Sequence, residues 1–218
     1  MDHSLLHLQV TEIFHSIQGE STFAGQPCVF VRLTGCPLRC QWCDTAYAFS
    51  GGKRMTVDAI LEEVHRFQTP LVEITGGEPL DQPGSFSLIT RLCDHQLTVL
   101  IETGGAIDIT PVDPRAHVIL DVKCPGSGMT DRMHWENLEI LAEKDEAKFV
   151  IKDHNDYAWA VDVVNQYRLS ERCTVLFSPV FGELSLQSLA EWILHDRLPV
   201  RFQIQLHKYI WDPQMRGV

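Results

Sequence analysis

Short apolar runs alternate along the chain with stretches of helical periodicity. The apolar runs are four to six residues long and rich in β-branched residues, which is typical of parallel strands buried on both faces. We predict strands at 28–33, 71–75, 98–102, 118–122, 148–151, 174–178 and 202–206. Apolar residues recur at helical spacing over 56–68, 135–143, 156–167 and 184–196, and we predict helices there, the first with Thr56 as its N-cap.

This alternation predicts an α/β fold with a mostly parallel sheet and right-handed crossover connections. Strands of this number in 218 residues suit an open or partial (β/α) barrel, because a complete barrel needs eight strand–helix units. The sequence contains no internal repeat, low-complexity tract or long linker. We therefore expect residues 1–218 to form a single domain.

Most of the glycine-rich and polar stretches follow directly after predicted strands. They are 34–45, 76–79, 103–105, 123–128, 152–155, 179–182 and 207–208. In parallel α/β folds, ligands bind outside the carboxyl ends of the strands. The sequence therefore predicts an active site at the C-terminal strand ends, with these stretches around it.

Composition removes several classes of function. Hydrophobic residues make up 44% of the chain and charged residues 22%, which is ordinary for a globular protein. The net charge of −11 argues against binding to nucleic-acid phosphates, and no apolar run approaches the roughly 20 residues of a membrane span. The N-terminus has neither a basic segment nor a small-residue cleavage site. We therefore expect a cytoplasmic protein without nucleic-acid or membrane partners.

Seven cysteines in such a chain do not form a disulfide framework, because their number is odd and the expected compartment is reducing. Four of them are scattered, and we predict that each is a small buried apolar residue: Cys28, Cys93, Cys124 and Cys173. The other three lie within eight residues in the stretch GCPLRCQWCDT, at 35–45. Only this cluster requires a chemical explanation.

Cys36, Cys40 and Cys43 have the spacing C-x3-C-x2-C. A two-knuckle zinc site needs a second ligand pair, which the sequence lacks, although a zinc site that borrows His15 or Cys28 stays open as an alternative. Iron–sulfur clusters are held by similarly tight cysteine runs. A four-iron cluster on three cysteines leaves one iron with an open coordination position, which is a reactive feature.

The C-x3-C-x2-C loop, with Trp42 before its last cysteine, resembles the signature of the radical S-adenosylmethionine (SAM) superfamily. Gly76-Gly77-Glu78 after the second predicted strand is similar to the GGE motif of that superfamily. The resemblance implies a 4Fe–4S cluster whose free iron binds SAM. Reductive cleavage of SAM then yields a 5′-deoxyadenosyl radical, so the cofactor supplies the difficult chemistry.

Three further stretches narrow the resemblance to one family. They are SIQGES at 16–21, Cys43-Asp44-Thr45, and QLHKY at 205–209. Together with ITGGEP, IETGG and FVRLTGCPLRC, they resemble the 7-carboxy-7-deazaguanine synthase family, from residue 11 to about residue 210. The combination is far more specific than the superfamily signature alone.

The family resemblance implies a lyase of queuosine and 7-deazapurine biosynthesis. Its substrate is 6-carboxy-5,6,7,8-tetrahydropterin, its product is 7-carboxy-7-deazaguanine, and ammonia is lost in the ring contraction. Hydrogen is taken from C6 of the substrate and later returned, so that SAM is regenerated. The resemblance also implies a requirement for Mg²⁺, a homodimer, and an electron donor such as flavodoxin or ferredoxin.

Matching positions imply roles for individual residues. The expected cluster ligands are Cys36, Cys40 and Cys43, and the expected Mg²⁺ ligand is Thr45. The expected SAM-binding residues are Trp42, Asp44, Gly76, Gly77, Glu78, Asp121, Val122, Lys123, Ser178, Pro179, Val180 and Phe181. The expected substrate-binding residues are Ile17, Gln18, Gly19, Glu20, Arg32, Thr75 and His207.

Simpler interpretations exist for some of these residues. Gln18 and Glu20 could form a solvated turn, Arg32 could pair with an acid at the edge of the core, and Thr75 could be an ordinary strand residue. At the level of function, the alternatives are a radical SAM activase that makes a glycyl radical on a partner protein, and a non-catalytic zinc protein.

The chain departs from the family pattern in two places. Some members carry a long insertion between the first two cysteines, whereas this loop is short. Some members end soon after the His-Lys-Tyr motif and direct the terminal carboxylate toward the substrate. Here IWDPQMRGV follows for nine residues, which puts such a role for Val218 in doubt.

Overall fold

A computed structural model describes residues 6–218. Residues 1–5, part of the N-terminal segment in which no targeting signal is expected, lie outside the described residues. Nine strands form one sheet in the order β3-β1-β2-β4-β5-β6-β7-β8-β9. The strands are β1 His7–Ile17, β2 Pro27–Leu33, β3 Lys53–Thr56, β4 Leu71–Gly76, β5 Thr98–Thr103, β6 His117–Val122, β7 Glu146–Ile151, β8 Thr174–Pro179 and β9 Arg201–Phe202.

Six α-helices accompany the sheet within the described part of the chain. They are α1 Val57–Arg66, α2 Gly84–Asp94, α3 Asn137–Ile140, α4 His154–Gln166, α5 Leu186–Asp196 and α6 His207–Ile210. Thr56 caps α1 as predicted, since its side chain accepts a hydrogen bond from the Ala59 N–H at 3.1 Å. No helix within residues 6–218 is long and apolar enough to cross a membrane.

From β2 to β9 in the sheet order, each strand is parallel to the next, which confirms the predicted mostly parallel α/β fold. Strand β1 pairs antiparallel with both β2 and β3 and was not predicted. Its sequence HLQVTEIFHSI mixes polar and apolar positions, because one strand face lies near solvent in this antiparallel part of the sheet. The sheet therefore has two more strands than the sequence pattern predicted.

Two predicted elements are wrong in extent. The predicted strand 202–206 is reduced to Arg201–Phe202, because the following residues leave the sheet to bond the turn after β1. Gln203 donates a side-chain hydrogen bond to the Ser21 carbonyl at 2.9 Å, and Leu206 N–H donates to the Gly19 carbonyl at 2.9 Å. The predicted helix 135–143 is a single turn, α3, after which the chain adopts an extended backbone at Leu141.

The two faces of the curved sheet differ in chemistry. Residues on its outer face pack with the helices in one large apolar core. The inner face has a small apolar floor, formed by Cys28, Phe30, Leu71, Leu100 and Ile119. Because side chains alternate along a strand, the inner face next carries residues two positions further along each strand. These residues are charged: Arg32, Glu73, Glu102, Asp121 and, on β7, Lys148. A charged layer thus separates the apolar floor from the carboxyl ends of the strands.

Candidate active site

The cysteine loop leaves the carboxyl end of β2, as the sequence predicted. Gly35 begins it with φ at +97°, a conformation that favours glycine, and its N–H donates to the Ala48 carbonyl at 2.8 Å. A second tie joins the Gln41 N–H to the Ser127 carbonyl at 3.1 Å, beyond β6. The three thiols of this loop are free and half-buried, whereas the four scattered cysteines are buried as predicted.

The glycines after β4 pack directly against this loop. Glu78 N–H donates to the Gly35 carbonyl at 2.8 Å, and Gly77 N–H donates to the Leu33 carbonyl at 3.2 Å. A methyl group on Gly77 would lie 2.1 Å from the Gly35 carbonyl oxygen and 2.8 Å from Cβ of Cys36. The close approach of the two backbones therefore requires glycine at position 77.

Glu78 has a different role in this geometry from the other predicted SAM residues. Its carboxylate is fully buried and accepts hydrogen bonds from Leu80 N–H at 3.1 Å, from Gly104 N–H at 2.7 Å and from the Thr103 hydroxyl at 2.8 Å. Burial raises its pKa above the ordinary value, although these donors oppose the rise. The side chain fastens the ends of β4 and β5 together, so a ligand would meet the backbone of this turn.

Lys123 is a buried cation that acts on all three thiols. Burial raises the pKa of Cys36, Cys40 and Cys43, and the Lys123 ammonium opposes that rise in all three. Its Nζ also lies 2.8 Å from Asp121 Oδ2, and both side chains are largely buried. A buried cation beside three thiols favours their thiolate form, which is the form that binds iron.

The three thiols do not converge on one point. Within residues 6–218, no three His, Cys, Asp or Glu side chains are close enough to hold a single metal ion. A four-iron cluster binds each thiolate at a different iron, so it needs the sulfurs around a shared space and not at one centre. The thiols, the adjacent cation and the glycine backbone fit that larger group.

Asp44 and Thr45 follow the last cysteine and face the C-terminal segment. Asp44 Oδ2 accepts from Lys208 Nζ at 2.7 Å, and the Thr45 hydroxyl donates to Asp44 Oδ1 at 2.9 Å. Partial desolvation raises the pKa of Asp44, but the Lys208 ammonium outweighs it and holds that pKa well below the ordinary range. The result is a neutral oxygen next to an ionised carboxylate, which are the ligand types that Mg²⁺ prefers.

The turn after β1 meets His207 from the other end of the chain. A methyl group on Gly19 would lie 2.2 Å from Nδ1 of His207, so the imidazole packs on this glycine. Gln18 is buried and its amide is already used, since it donates to Glu73 and accepts from Glu20 N–H at 3.0 Å. The interpretation of this turn as merely solvated is therefore wrong for Gln18.

Glu20 points into a network whose centre is Lys148. Lys148 is 4% exposed, and its ammonium lies 2.8 Å from Glu20 Oε2, in direct contact with Glu102, and 3.7 Å from Asp121 Oδ2. Desolvation lowers the pKa of Lys148, but the three carboxylates outweigh it and raise that pKa well above its ordinary value. The other oxygen of Glu20 accepts from Gln205 Nε2 at 2.9 Å.

Sequence reasoning assigned no role to Lys148, Glu73 or Glu102. The signal was present, because each is a charged residue within a run that is otherwise apolar, and charged residues are rarely buried unless paired. Glu73 is buried, and burial followed by the neighbouring Glu102 charge raises its pKa well above the ordinary value. Burial in this layer therefore favours the uncharged form of Glu73.

Arg32 and Thr75 lie side by side as register partners on β2 and β4. Thr75 is buried, and Arg32 is paired with an acid, since its Nε donates to Glu12 Oε1 at 2.8 Å. The simpler interpretation of Arg32 as an ion-paired residue therefore holds in this structure. The ion pair leaves other hydrogen-bond donors of Arg32 available, because the Glu12 bond uses only Nε of the guanidinium.

The predicted SAM stretch after β8 borders a cavity of ≈ 360 Å³. Pro179 and Phe181 line it together with Gln205 and Tyr209, and the cysteines do not. Ser178 Oγ is buried without a hydrogen-bond partner among the described residues. Val122 is fully buried in the outer core, so only its backbone is available to a ligand.

Sequence comparison connects this site to known proteins. The model of the radical SAM superfamily matches residues 30–145. A 7-carboxy-7-deazaguanine synthase of Chlorobaculum tepidum is 50% identical over 97% of this chain and 97% of its own length. The enzyme of the same name from Koribacter versatilis is 44% identical over 97% of this chain and 100% of its own length.

Structural comparison supports the fold. The crystal structure of QueE from Escherichia coli matches with a TM-score of 0.79 over 94% of this chain and 96% of that chain, at 21% identity. SuiB of Streptococcus suis, solved with S-adenosylmethionine, matches with a TM-score of 0.54 over 78% of this chain and 45% of that one, at 12% identity. These likenesses confirm the partial (β/α) barrel.

Proposed function

The chain belongs to the radical SAM superfamily and, within it, to the 7-carboxy-7-deazaguanine synthase family, and from this premise we propose the reaction and the roles of its residues. The protein is a radical SAM lyase that carries a 4Fe–4S cluster and uses SAM. We propose that it converts 6-carboxy-5,6,7,8-tetrahydropterin to 7-carboxy-7-deazaguanine with loss of ammonia. The observation that carries the proposal is the identity of 50% across nearly the whole of both chains.

At one end of the proposed site, the cluster would be held by Cys36, Cys40 and Cys43. The group supplies one-electron reduction of bound SAM and so the radical that starts the reaction. The Lys123 ammonium opposes the rise in pKa that burial causes in the three thiols, and Gly77 lets the loop approach the end of β4. Backbone groups of 76–78 and the 178–181 stretch remain available to orient SAM.

At the other end of the proposed site, charged side chains would bind the pterin. Lys148 and Gln205 each hold one oxygen of Glu20, which fixes its carboxylate beside His207 and Gly19. Carboxylates accept hydrogen bonds from N–H groups, and a reduced pterin carries several along its edge. Arg32 retains its two terminal nitrogens beyond the Glu12 bond, and a guanidinium edge matches a carboxylate.

Mg²⁺ would sit at Thr45, between the two ends. The neutral Thr45 hydroxyl and the Asp44 carboxylate offer few protein ligands, and Mg²⁺ characteristically keeps waters or substrate oxygens in the rest of its shell. The carboxylate of the substrate would complete that shell.

The remaining proposals concern the protein as a whole. We propose that residues 1–218 act as one catalytic domain in a cytoplasmic homodimer, with a flavodoxin or ferredoxin as electron donor. The single continuous sheet supports one domain, because the predicted cluster, SAM and substrate residues all depend on its strands.

The reaction is tested directly by anaerobic incubation of the reconstituted protein with 6-carboxytetrahydropterin, SAM, Mg²⁺ and a reductant. We expect a product with the mass of 7-carboxy-7-deazaguanine and release of ammonia, without net consumption of SAM. Formation of 5′-deoxyadenosine without any deazapurine would contradict the proposal.

Replacing Thr45 with Ala should weaken the dependence of the rate on Mg²⁺. Loss of one neutral ligand removes a contact worth about 1 kcal/mol, so we expect the Mg²⁺ concentration for half-maximal rate to rise roughly fivefold. A titration of initial rate against Mg²⁺ measures this, with Thr69→Ala, a threonine outside the predicted site, as the matched control. Unchanged Mg²⁺ stimulation would remove Thr45 from the metal site.

A further inference from the structure

Arg32 on the inner face of the sheet contacts two aromatic rings. Its Cζ atom is 5.7 Å from the centroid of Phe14 on β1 and 5.9 Å from the centroid of Tyr47, which follows the cysteine loop. Phe14 in turn stacks on Phe30, with centroids 5.0 Å apart and rings within 11° of parallel. Cation–π contacts of this kind fix the plane of a guanidinium as well as attract it.

One oxygen of Glu12 joins the arginine to the second ring. Oε1 of Glu12 accepts from Arg32 Nε at 2.8 Å and from the Tyr47 hydroxyl at 2.7 Å. The Tyr47 hydroxyl donates the second of these bonds, and the same carboxylate oxygen accepts both. The ring of Tyr47 is therefore anchored at its hydroxyl while its face covers Arg32.

The C-terminal extension contributes Arg216, which contacts the ring of Tyr47. Cζ of Arg216 lies 4.1 Å from the centroid of Tyr47, closer than Arg32 lies to the same ring. Position 217 reaches β1, since a methyl group on Gly217 would lie 3.9 Å from Glu12 Oε2. Just before the extension begins, the ammonium of Lys208 pairs with Asp44. The nine residues after the His-Lys-Tyr motif thus return to the site.

We propose that Glu12, Tyr47 and Arg216 are positioning residues for Arg32, and that the C-terminal extension serves substrate binding by holding Tyr47 over the Arg32 guanidinium. Glu12 takes Nε, the two rings set the plane, and the terminal nitrogens are left as a flat, doubly donating edge. Such an edge suits a carboxylate bound in its plane. The inference rests on the proposed role of Arg32 toward the pterin substrate.

The test measures binding without turnover. The probe is pterin-6-carboxylic acid, the fully oxidised relative of the proposed substrate, titrated by its fluorescence into holoenzyme with SAM and Mg²⁺ but no reductant. The variants are Arg32→Gln, Tyr47→Phe, Tyr47→Leu, Arg216→Gln and Arg216→Lys. Arg168→Gln is the matched control, because Arg168 is an exposed, ion-paired arginine just before β8, at the amino edge of the sheet.

We expect Arg32→Gln to weaken binding more than tenfold, and Tyr47→Leu about tenfold. Arg216→Gln should weaken it about threefold, the size of one exposed cation–π contact, with Arg216→Lys close to the parent. The loss of binding in Tyr47→Phe should lie between those in Arg216→Gln and Tyr47→Leu, since this variant keeps the ring but loses one hydrogen bond. In turnover assays the same variants should raise KM with little change in kcat. In the Tyr47→Leu background, Arg216→Gln should have no further effect, because the ring through which it acts is gone.

The binding data distinguish failure of the positioning inference from failure of the role proposed for Arg32. If Arg32→Gln loses binding while both Arg216 variants and Tyr47→Phe match Arg168→Gln, the positioning inference is overturned and the proposed function stands. If Arg32→Gln binds the pterin like the parent, the assigned role of Arg32 fails and the inference fails with it, whatever product is formed. An equal effect of Arg216→Gln with and without Tyr47 would also overturn it.

Discussion

Cys40→Ala is expected to abolish turnover and most of the iron while leaving the fold intact. Each of the three thiolates would bind its own iron, so two ligands cannot hold the cluster in its place. Cys40 lies in a half-buried loop rather than in the core, and its removal costs little packing. We therefore expect the Tm of the cluster-free variant to match that of the cluster-free parent.

Iron analysis and visible absorption after anaerobic reconstitution measure the effect, with about four irons per chain expected in the parent. Cys93→Ala is the matched control, because Cys93 is buried in α2, away from the loop. It should keep its iron and its activity. Parent-like iron content with product formation in Cys40→Ala would overturn the ligand assignment, and stoichiometric zinc without iron in the parent would replace the cluster with a zinc site.

The parallel strands and the edge of the sheet that carries the site could be predicted from sequence, because both depend on local patterns. Strands such as Leu71–Gly76 are buried along nearly their whole length, and polar or glycine-rich stretches follow their carboxyl ends. The cysteine loop and the Gly76-Gly77 turn accordingly lie together. Hydrogen bonds from the Glu78 N–H to the Gly35 carbonyl confirm that the two stretches meet.

Long-range pairing could not be predicted from these patterns. β1 mixes polar and apolar positions because it lies next to the antiparallel edge strand β3, and no parallel-strand rule applies there. The chain after Phe202 is apolar enough to continue a strand, yet Gln203 and Leu206 bond a turn more than 180 residues earlier in the sequence. The competition between sheet and turn is decided by tertiary contacts.

The charged inner layer was missed for the same reason. A single Glu or Lys within an apolar run resembles a strand end or an exposed position, and only the sheet order brings Lys148 beside Glu102 and Asp121. Arg32 shows the converse case. Sequence reasoning weighed an ion pair against a substrate role, whereas the structure gives it an acid partner and still leaves its outer edge available.

Lys148→Met should have the largest effect on both stability and activity after loss of a cluster ligand. Methionine fills similar space but leaves Glu20, Glu102 and Asp121 without their shared cation. Breaking a buried ion pair from one side costs about 3–5 kcal/mol, which for a chain of this size lowers Tm by roughly 10 °C. Glu20 would also lose the contact that directs it, so we expect substrate binding to weaken at least tenfold.

The loss of stability should depend on pH in a defined direction. In the parent, desolvation raises the pKa of Glu20, but Lys148 and His207 outweigh it and lower that pKa. The stabilisation from this pair is therefore present above the ordinary carboxyl pKa and is lost as the pH falls through the lowered one. In Lys148→Met, Glu20 loses the ammonium that lowers its pKa while its burial, which raises that pKa, remains, so protonation of Glu20 at lower pH removes one unpaired charge. Urea unfolding should accordingly show a smaller difference between variant and parent at pH 5 than at pH 8.

Lys144→Met separates a general effect of losing a lysine from a role in the site. Lys144 pairs with Asp145 at 2.6 Å, just before the amino end of the same strand, β7, although it is more exposed than Lys148. Its replacement should lower stability and leave kcat/KM near the parent value. Glu20→Gln combined with Lys148→Met should recover part of the lost stability, because it removes one of the unpaired charges. Equal losses of kcat/KM in Lys144→Met and Lys148→Met, or no coupling with Glu20→Gln, would show that Lys148 does not act through Glu20.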